Sequence, residues 1–112
     1  MNRTNRRLHP RYAVGIDCKL IRKAASRYDA ARTGDVSAGG ALLEVSTARP
    51  IRAGETLEIA VNWAHRPVLT SDELTSARVV RVEPLMSGTQ RVAIRFDRPQ
   101  EQADALAGAE AA

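Results

Sequence analysis

Cysteine, histidine, lysine and aromatic residues are all scarce in this chain of 112 residues, and each shortage removes a class of function. Cys18 is the single cysteine, so no disulfide forms within the chain and no thiolate cluster can hold a metal. It sits in an alternating apolar stretch, which predicts a buried, inert thiol. Trp63, Tyr12, Tyr28 and Phe96 are the whole aromatic set, too few for the ring platforms on which proteins stack single-stranded nucleic acid. His9 and His65 are the only histidines, each in a polar segment, and there is no H-x-x-x-H, nucleophile elbow or phosphate-cradling GxxxxGK sequence. Asp72 and Glu73 are adjacent and would face opposite ways on a strand, poor geometry for joint metal or acid/base work. The chain is therefore expected not to be an enzyme, and to carry no metal or resident cofactor. Apolar runs are only a few residues long, which argues against a helical membrane span. The leading arginines are not followed by the apolar stretch of a secretory signal, so the expected location is cytoplasmic.

What is present fits one small domain with one core. Apolar residues make up 44% and charged residues 27%, both ordinary for a globular protein. The net charge of +4 comes almost wholly from arginine, since Lys19 and Lys23 are the only lysines. Such a balance favours anionic partners without choosing among nucleic acid, membrane surface and a small phosphate ligand.

Along the chain, residues 1–11 form an arginine-rich arm with no acid and little apolar content, expected to be mobile without a partner. From Tyr12 the pattern turns to period two, with Tyr12, Val14, Ile16, Cys18 and Leu20 on one face, which predicts a half-buried strand. A second strand is expected over Tyr28 to Thr33 and a third over Ala41 to Val45, with a sharp corner at Gly39-Gly40. Leu57, Ile59, Val61 and Trp63 alternate with polar or small residues and predict the clearest strand. His65 to Glu73 reads as a loop, Ala77 to Val82 as a strand, and Ser87-Gly88 as the turn into Arg91 to Asp97. In that last strand Val92, Ile94 and Phe96 face inward while Arg91, Ala93 and Arg95 face outward. Five or six short strands between Gly/Pro turns predict an all-β, closed antiparallel barrel over 12–98. For the alanine-rich tail, 99–112, a short helix with Leu106 docked and a frayed end are both open.

Two polar clusters carry the chemistry. The first, Arg6-Arg7-Leu8-His9-Pro10-Arg11, contains R-x-x-x-R at Arg7 and Arg11. Pro10 biases His9 away from helical angles, so the arm is extended or turned and the two guanidinium groups lie roughly 13 Å apart along the chain. Guanidinium is a planar fork of donors suited to phosphate oxygens and to the O6/N7 edge of guanine. The second cluster, Asp35-Val36-Ser37-Ala38-Gly39-Gly40, reads D-x-S-x-x-G. A carboxylate offers only acceptors, which suits the N1–H and N2–H donors on guanine's other edge. A serine hydroxyl both donates and accepts. The glycines are expected to supply a positive φ at the corner and room for a ligand against bare backbone.

In this order, before the first strand and between the second and third, the clusters resemble those of the PilZ domain family, receptors for cyclic dimeric GMP. Gly39-Gly40-Ala41-Leu42-Leu43, Ala77-Arg78-Val79-Val80-Arg81-Val82 and Val92-Ala93-Ile94-Arg95-Phe96-Asp97 look like that family's later strands. The resemblance implies a six-stranded antiparallel barrel whose arginine arm wraps a ligand on the outer surface. It further implies that Arg7 and Arg11 hold phosphate and guanine, that Asp35 and Ser37 read a guanine edge, and that Gly40 keeps the floor clear. Because Arg6 precedes the first motif arginine, it also implies two cyclic di-GMP molecules per site. Output would pass through contact with a downstream protein. Many members have glycine where this chain has Ala93, a position far in sequence from both clusters and expected to change packing at most. Two other readings belong to different classes: a small basic barrel that binds nucleic acid, and a PilZ-like adaptor that binds no nucleotide.

Overall fold

The computed structural model describes residues 10–22, 28–69 and 73–106. Seven strands appear in chain order: β1 (Arg11–Tyr12), β2 (Asp17–Arg22), β3 (Tyr28–Ser37), β4 (Gly40–Ser46), β5 (Thr56–Val61), β6 (Thr75–Val82) and β7 (Thr89–Phe96). They form one antiparallel sheet in the order β1-β3-β2-β5-β6-β7-β4, closed by pairing of β3 with β4. The result is the expected six-stranded barrel plus the short strand β1. Closure leaves the six barrel strands without a free edge.

The extra strand arises where the single run Tyr12–Leu20 was expected. Its facing is as expected, with Tyr12, Ile16, Cys18 and Leu20 buried and Val14 half-buried, but the ladder breaks after Tyr12. The Val14 N–H turns back to the Tyr12 carbonyl at 3.0 Å. The side chain of Thr33 fills the gap: its hydroxyl oxygen accepts from the Ile16 N–H at 2.7 Å and its proton goes to the Val14 carbonyl. Both pieces still pair with β3, Tyr12 against Val36 and Asp17 against Arg32. One residue more is thus spent on this side than on β3. Thr33 lies inside the barrel wall at 4% exposure, so the hydroxyl replaces ladder bonds that would otherwise be missing.

Leu20, Val36, Leu43, Val45, Leu57, Ile59, Val79 and Val92 fill the interior, with Ile16 and Phe96 towards its ends. The expected strand ending in Trp63 stops at Val61. The Asn62 N–H then reaches Asp17, and the Asn62 side chain bonds both the amide and the carbonyl of Arg66. Trp63 is half-buried beyond the strand end and packs on the core. Among the described residues Thr33, Thr47, Gln90 and Arg22 are buried polar side chains, all satisfied, Thr47 by the amide and carbonyl of Arg49. Gln90 bonds the amide and carbonyl of Ile51 and the carbonyl of Glu83, and Arg22 bonds Glu55 and the carbonyls of Arg49 and Pro50. The β6–β7 turn has Ser87 and Gly88 both at positive φ, 54° and 78°, the twist a two-residue antiparallel connection requires. After β7 a 3-10 helix covers Glu101–Ala105, with Ala103 fully buried and Leu106 packed against the core.

Cys18 is buried at 3% exposure and donates its S–H to the Ile16 carbonyl at 3.4 Å. Burial pushes its thiol pKa up to about 12, with the Asp17 carboxylate adding to the rise and Arg32 opposing it. It is chemically inert at neutral pH.

Candidate functional site

Two one-residue irregularities decide what the barrel shows to solvent at one place. In β3, alternation buries Ala31 and Thr33 and would bury Asp35 next. A bulge between Thr33 and Asp35 shifts the phase, so Gly34 and Asp35 both lie on the outer side and Val36 returns to the core. In β6, alternation buries Ala77 and Val79 and would bury Arg81. A second bulge between Val79 and Arg81 leaves Val80 and Arg81 both exposed, with Arg81 opposite Ala93 and Val82 back against the core. Each bulge turns a charged residue outward that the strand period would have turned inward.

Between these bulges an open cavity of about 660 Å³ lies on the outer wall. Its floor is Gly40 and Ala41 of β4 with Ala93 and Arg95 of β7; Arg11 and Ser37 stand on one side and Val80 and Arg81 on the other. The volume is in the range of small-molecule sites, roughly 300–1,000 Å³.

The site residues named from sequence fall as follows. Arg6 and Arg7, with the mobility expected of the arm, lie outside the described residues. Arg11, assigned to the arm, sits in β1 opposite Ser37. Its Nη2 donates to Asp35 Oδ1 at 2.7 Å, with the two side chains 39% and 28% exposed. Asp35 does not itself line the cavity but meets it through Arg11, and among the described residues its Oδ2 bonds to nothing. Ser37 holds the turn into β4: its hydroxyl oxygen accepts from the amides of Gly39 and Gly40 at 3.2 Å each, and its proton points to the Gly40 carbonyl at 3.4 Å.

Gly40 carries a constraint that the expected positive φ does not describe. Its φ is not in the left-handed region, but a Cβ there would lie 2.3 Å from the Ile94 carbonyl oxygen. The need is therefore close approach of β4 to β7, where Gly40 pairs with Arg95 and the Phe96 N–H reaches the Gly39 carbonyl at 2.9 Å. The same absence of a side chain leaves the floor open beside Arg95.

The expectation for Ala93 is corrected. Far from the two clusters in sequence, it lies opposite Leu42 and Arg81 and forms part of the cavity floor, where its methyl occupies space a glycine would leave. Arg81 and Arg95 were not named as site residues. The outward phase of Arg95 was readable from the period of β7, but its neighbours depend on register, and Arg81 depends on a bulge that the pattern Ala77–Val82 does not announce. The C-terminal segment borders the site as well: Pro99 lines the cavity and the Gln100 N–H donates to the Ala38 carbonyl at 2.7 Å. Among the described residues no group of His, Cys, Asp and Glu could hold a metal ion, and no helix is long and apolar enough to cross a membrane.

The PilZ domain family model matches residues 5–109. No curated protein matches the chain in sequence. Among solved structures the chain is similar to the Bacillus subtilis inhibitor of motility MotI/DgrA, at TM-score 0.65 and 16% identity, over 86% of this chain and 46% of that one. This chain thus spans about half of that protein's length. It is also similar to the PilZ domain of YcgR from Escherichia coli, solved with c-di-GMP, at TM-score 0.60 and 19% identity, over 90% of this chain and 85% of that one. The PilZ domain of CeSA from a cellulose-synthesizing bacterium gives TM-score 0.53 and 21% identity, over 86% and 88%. At these identities the structural likenesses establish the fold.

Proposed function

The chain belongs to the PilZ domain family, and from that premise we propose that it is a receptor for cyclic dimeric GMP which signals by contact with another protein. The observation that carries this reading is the meeting of Arg11, Ser37 and Gly40 around one cavity on the outer wall, with Asp35 bonded to Arg11. Arg11 presents a cation and Asp35 an acceptor oxygen side by side, the pair of functions that a guanine nucleotide asks for.

In the proposed mechanism the ligand rests on the floor of Gly40 and Ala93. Asp35 uses its Oδ2 for the N1–H and N2–H of one guanine, and Arg11 turns its remaining donors towards phosphate. Arg6 and Arg7 close over the ligand from the leading arm, and binding fixes that arm against the barrel. Two ligand molecules occupy the site, Arg6 being the residue that favours the stacked pair. The arm and the bound ligand together make a surface that the free protein lacks, and a downstream protein reads it. Charge-assisted hydrogen bonds, each worth about 1.5–3 kcal/mol net, offset the entropy of fixing the arm, about 1–2 kcal/mol per residue.

Calorimetric titration of the chain with cyclic di-GMP, with GTP and GMP as controls, tests this. The expected result is saturable binding of the cyclic dinucleotide at two per chain and none of the controls. Equal binding of GTP, or an affinity that falls with salt as steeply as a polymer binder's, would refute it.

A further inference from the structure

Arg81 on the far side of the cavity and Arg95 on its floor have no role in the two sequence clusters, yet their placement is that of an anion site. Arg78 and Arg95 are directly opposed across β6 and β7, and both are exposed. Like charges facing each other on a sheet are destabilising unless something of opposite sign lies between them. Among the described residues neither of them, nor Arg81, forms an ion pair with an acid. The β6 bulge brings Arg81 to the same face, opposite Ala93, at the cost of a regular ladder. On its other side Arg95 pairs with Gly40, and both line the cavity. Asp97, on the same rim, adds an acceptor beside the cations.

We propose that Arg81 and Arg95 form a second nucleotide-holding wall, which takes a phosphate of the ligand on the side of the cavity away from Arg11. The inference rests on the reading of this cavity as the cyclic di-GMP site and deepens it. Three strand-to-strand steps separate β1 from β7 in the sheet, β1 to β3, β3 to β4 and β4 to β7. At roughly 4.8 Å each they set Arg11 and Arg95 about 14 Å apart, so the two address opposite ends of the bound ligand. Arg95 and Asp97 line the cavity together, a cation and an acceptor that, unlike Arg11 and Asp35, are not bonded to each other. A second stacked nucleotide thereby has its own contacts on the barrel.

Titration of the full chain with cyclic di-GMP, comparing wild type with Arg81→Ala, Arg95→Ala, the double variant and Arg91→Ala, tests the inference. Arg91 is the control, an exposed arginine on β7 that lies outside the cavity. Each wall arginine lost should weaken binding by about 10- to 100-fold, the weight of one charge-assisted contact, or the double variant should saturate at one molecule instead of two. Arg91→Ala should stay within about twofold of wild type, as expected where only screened charge is removed. Arg95→Lys, which keeps the charge but loses the fork, should fall between wild type and Arg95→Ala. Thermal midpoints of Arg95→Ala and of the double variant should equal or exceed wild type, because the opposed pair Arg78–Arg95 is relieved. Unchanged affinity and stoichiometry in the double variant would overturn the inference while leaving the receptor reading intact. An effect of Arg91→Ala as large as that of Arg95→Ala would also overturn it, by showing a diffuse field. If wild type itself ignores cyclic di-GMP, the receptor reading falls and the inference falls with it.

Discussion

Replacing Gly40 with alanine separates two explanations for this residue. If its only task is to leave room for a ligand, the free protein should not notice a methyl group. The geometry says otherwise. The added Cβ would lie 2.3 Å from the Ile94 carbonyl oxygen, 3.4 Å from its carbon and 3.5 Å from the Arg95 Cα, all backbone of the paired strand. No side chain can swing away, so the end of β4 must part from β7. That movement costs the strain of overpacking, typically about 1–3 kcal/mol, and weakens the Phe96–Gly39 hydrogen bond, about 1 kcal/mol net. A total of about 2–4 kcal/mol corresponds to a fall in thermal midpoint of roughly 10–25 °C for a domain of this size. Gly34→Ala is the matched control, because its Cβ would meet only Leu42 atoms at 3.8 and 3.9 Å, with no left-handed φ to strain it. It should change stability by less than about 1 kcal/mol in either direction. Differential scanning calorimetry of the ligand-free proteins reads both. A Gly40→Ala protein that melts with wild type but no longer binds nucleotide would refute the close-approach argument and restore the ligand-clearance one.

Arg11→Ala should abolish nucleotide binding yet cost less than about 1 kcal/mol of apo stability by urea melt, since its pair with Asp35 is 39% and 28% exposed. Gln90→Ala should cost about 3 kcal/mol by the same assay, because it strands the buried amide and carbonyl of Ile51 and opens a cavity. The raised thiol pKa of Cys18 sets a sign for alkaline pH. Above its ordinary value of 9.0 the unfolded chain loses this proton while the folded chain keeps it until about 12, so the thiol's contribution falls as pH rises through that window. Wild type should therefore lose stability relative to Cys18→Val between pH 9 and 11, at a slope approaching about 1.4 kcal/mol per unit. Parallel pH profiles of the two proteins would contradict the burial argument.

Much of the wall was legible because period two survives in it. Tyr12, Ile16, Cys18 and Leu20 face the core as their alternation predicts, and so do Val92, Ile94 and Phe96. The Ser87-Gly88 turn was legible because residues that tolerate positive φ stand between two alternating runs. What escaped the sequence is phase and register. A bulge inserts one residue and flips every side chain after it, so the outward aim of Asp35 and Arg81 cannot be counted from the strand's start. The break after Tyr12 depends on one hydroxyl, Thr33, that looks like any strand threonine until its partners are seen. Ala93 lies more than fifty residues from the aspartate motif, yet strand pairing places it opposite Leu42, two residues beyond that motif's glycine. The residues of the motif itself, Arg11, Asp35, Ser37 and Gly40, were named through their resemblance to the PilZ clusters, but the close strand approach at Gly40 was not foreseen.

Amide chemical-shift mapping by nuclear magnetic resonance, during titration with cyclic di-GMP, bears most directly on the central claim. It reports in one experiment whether the nucleotide binds and where. The account predicts saturating shifts at Arg11, Ser37 to Ala41, Arg81 and Ala93 to Asp97, together with new protection of the leading residues. Shifts confined to another face of the barrel, or a spectrum unmoved at saturating nucleotide, would contradict it.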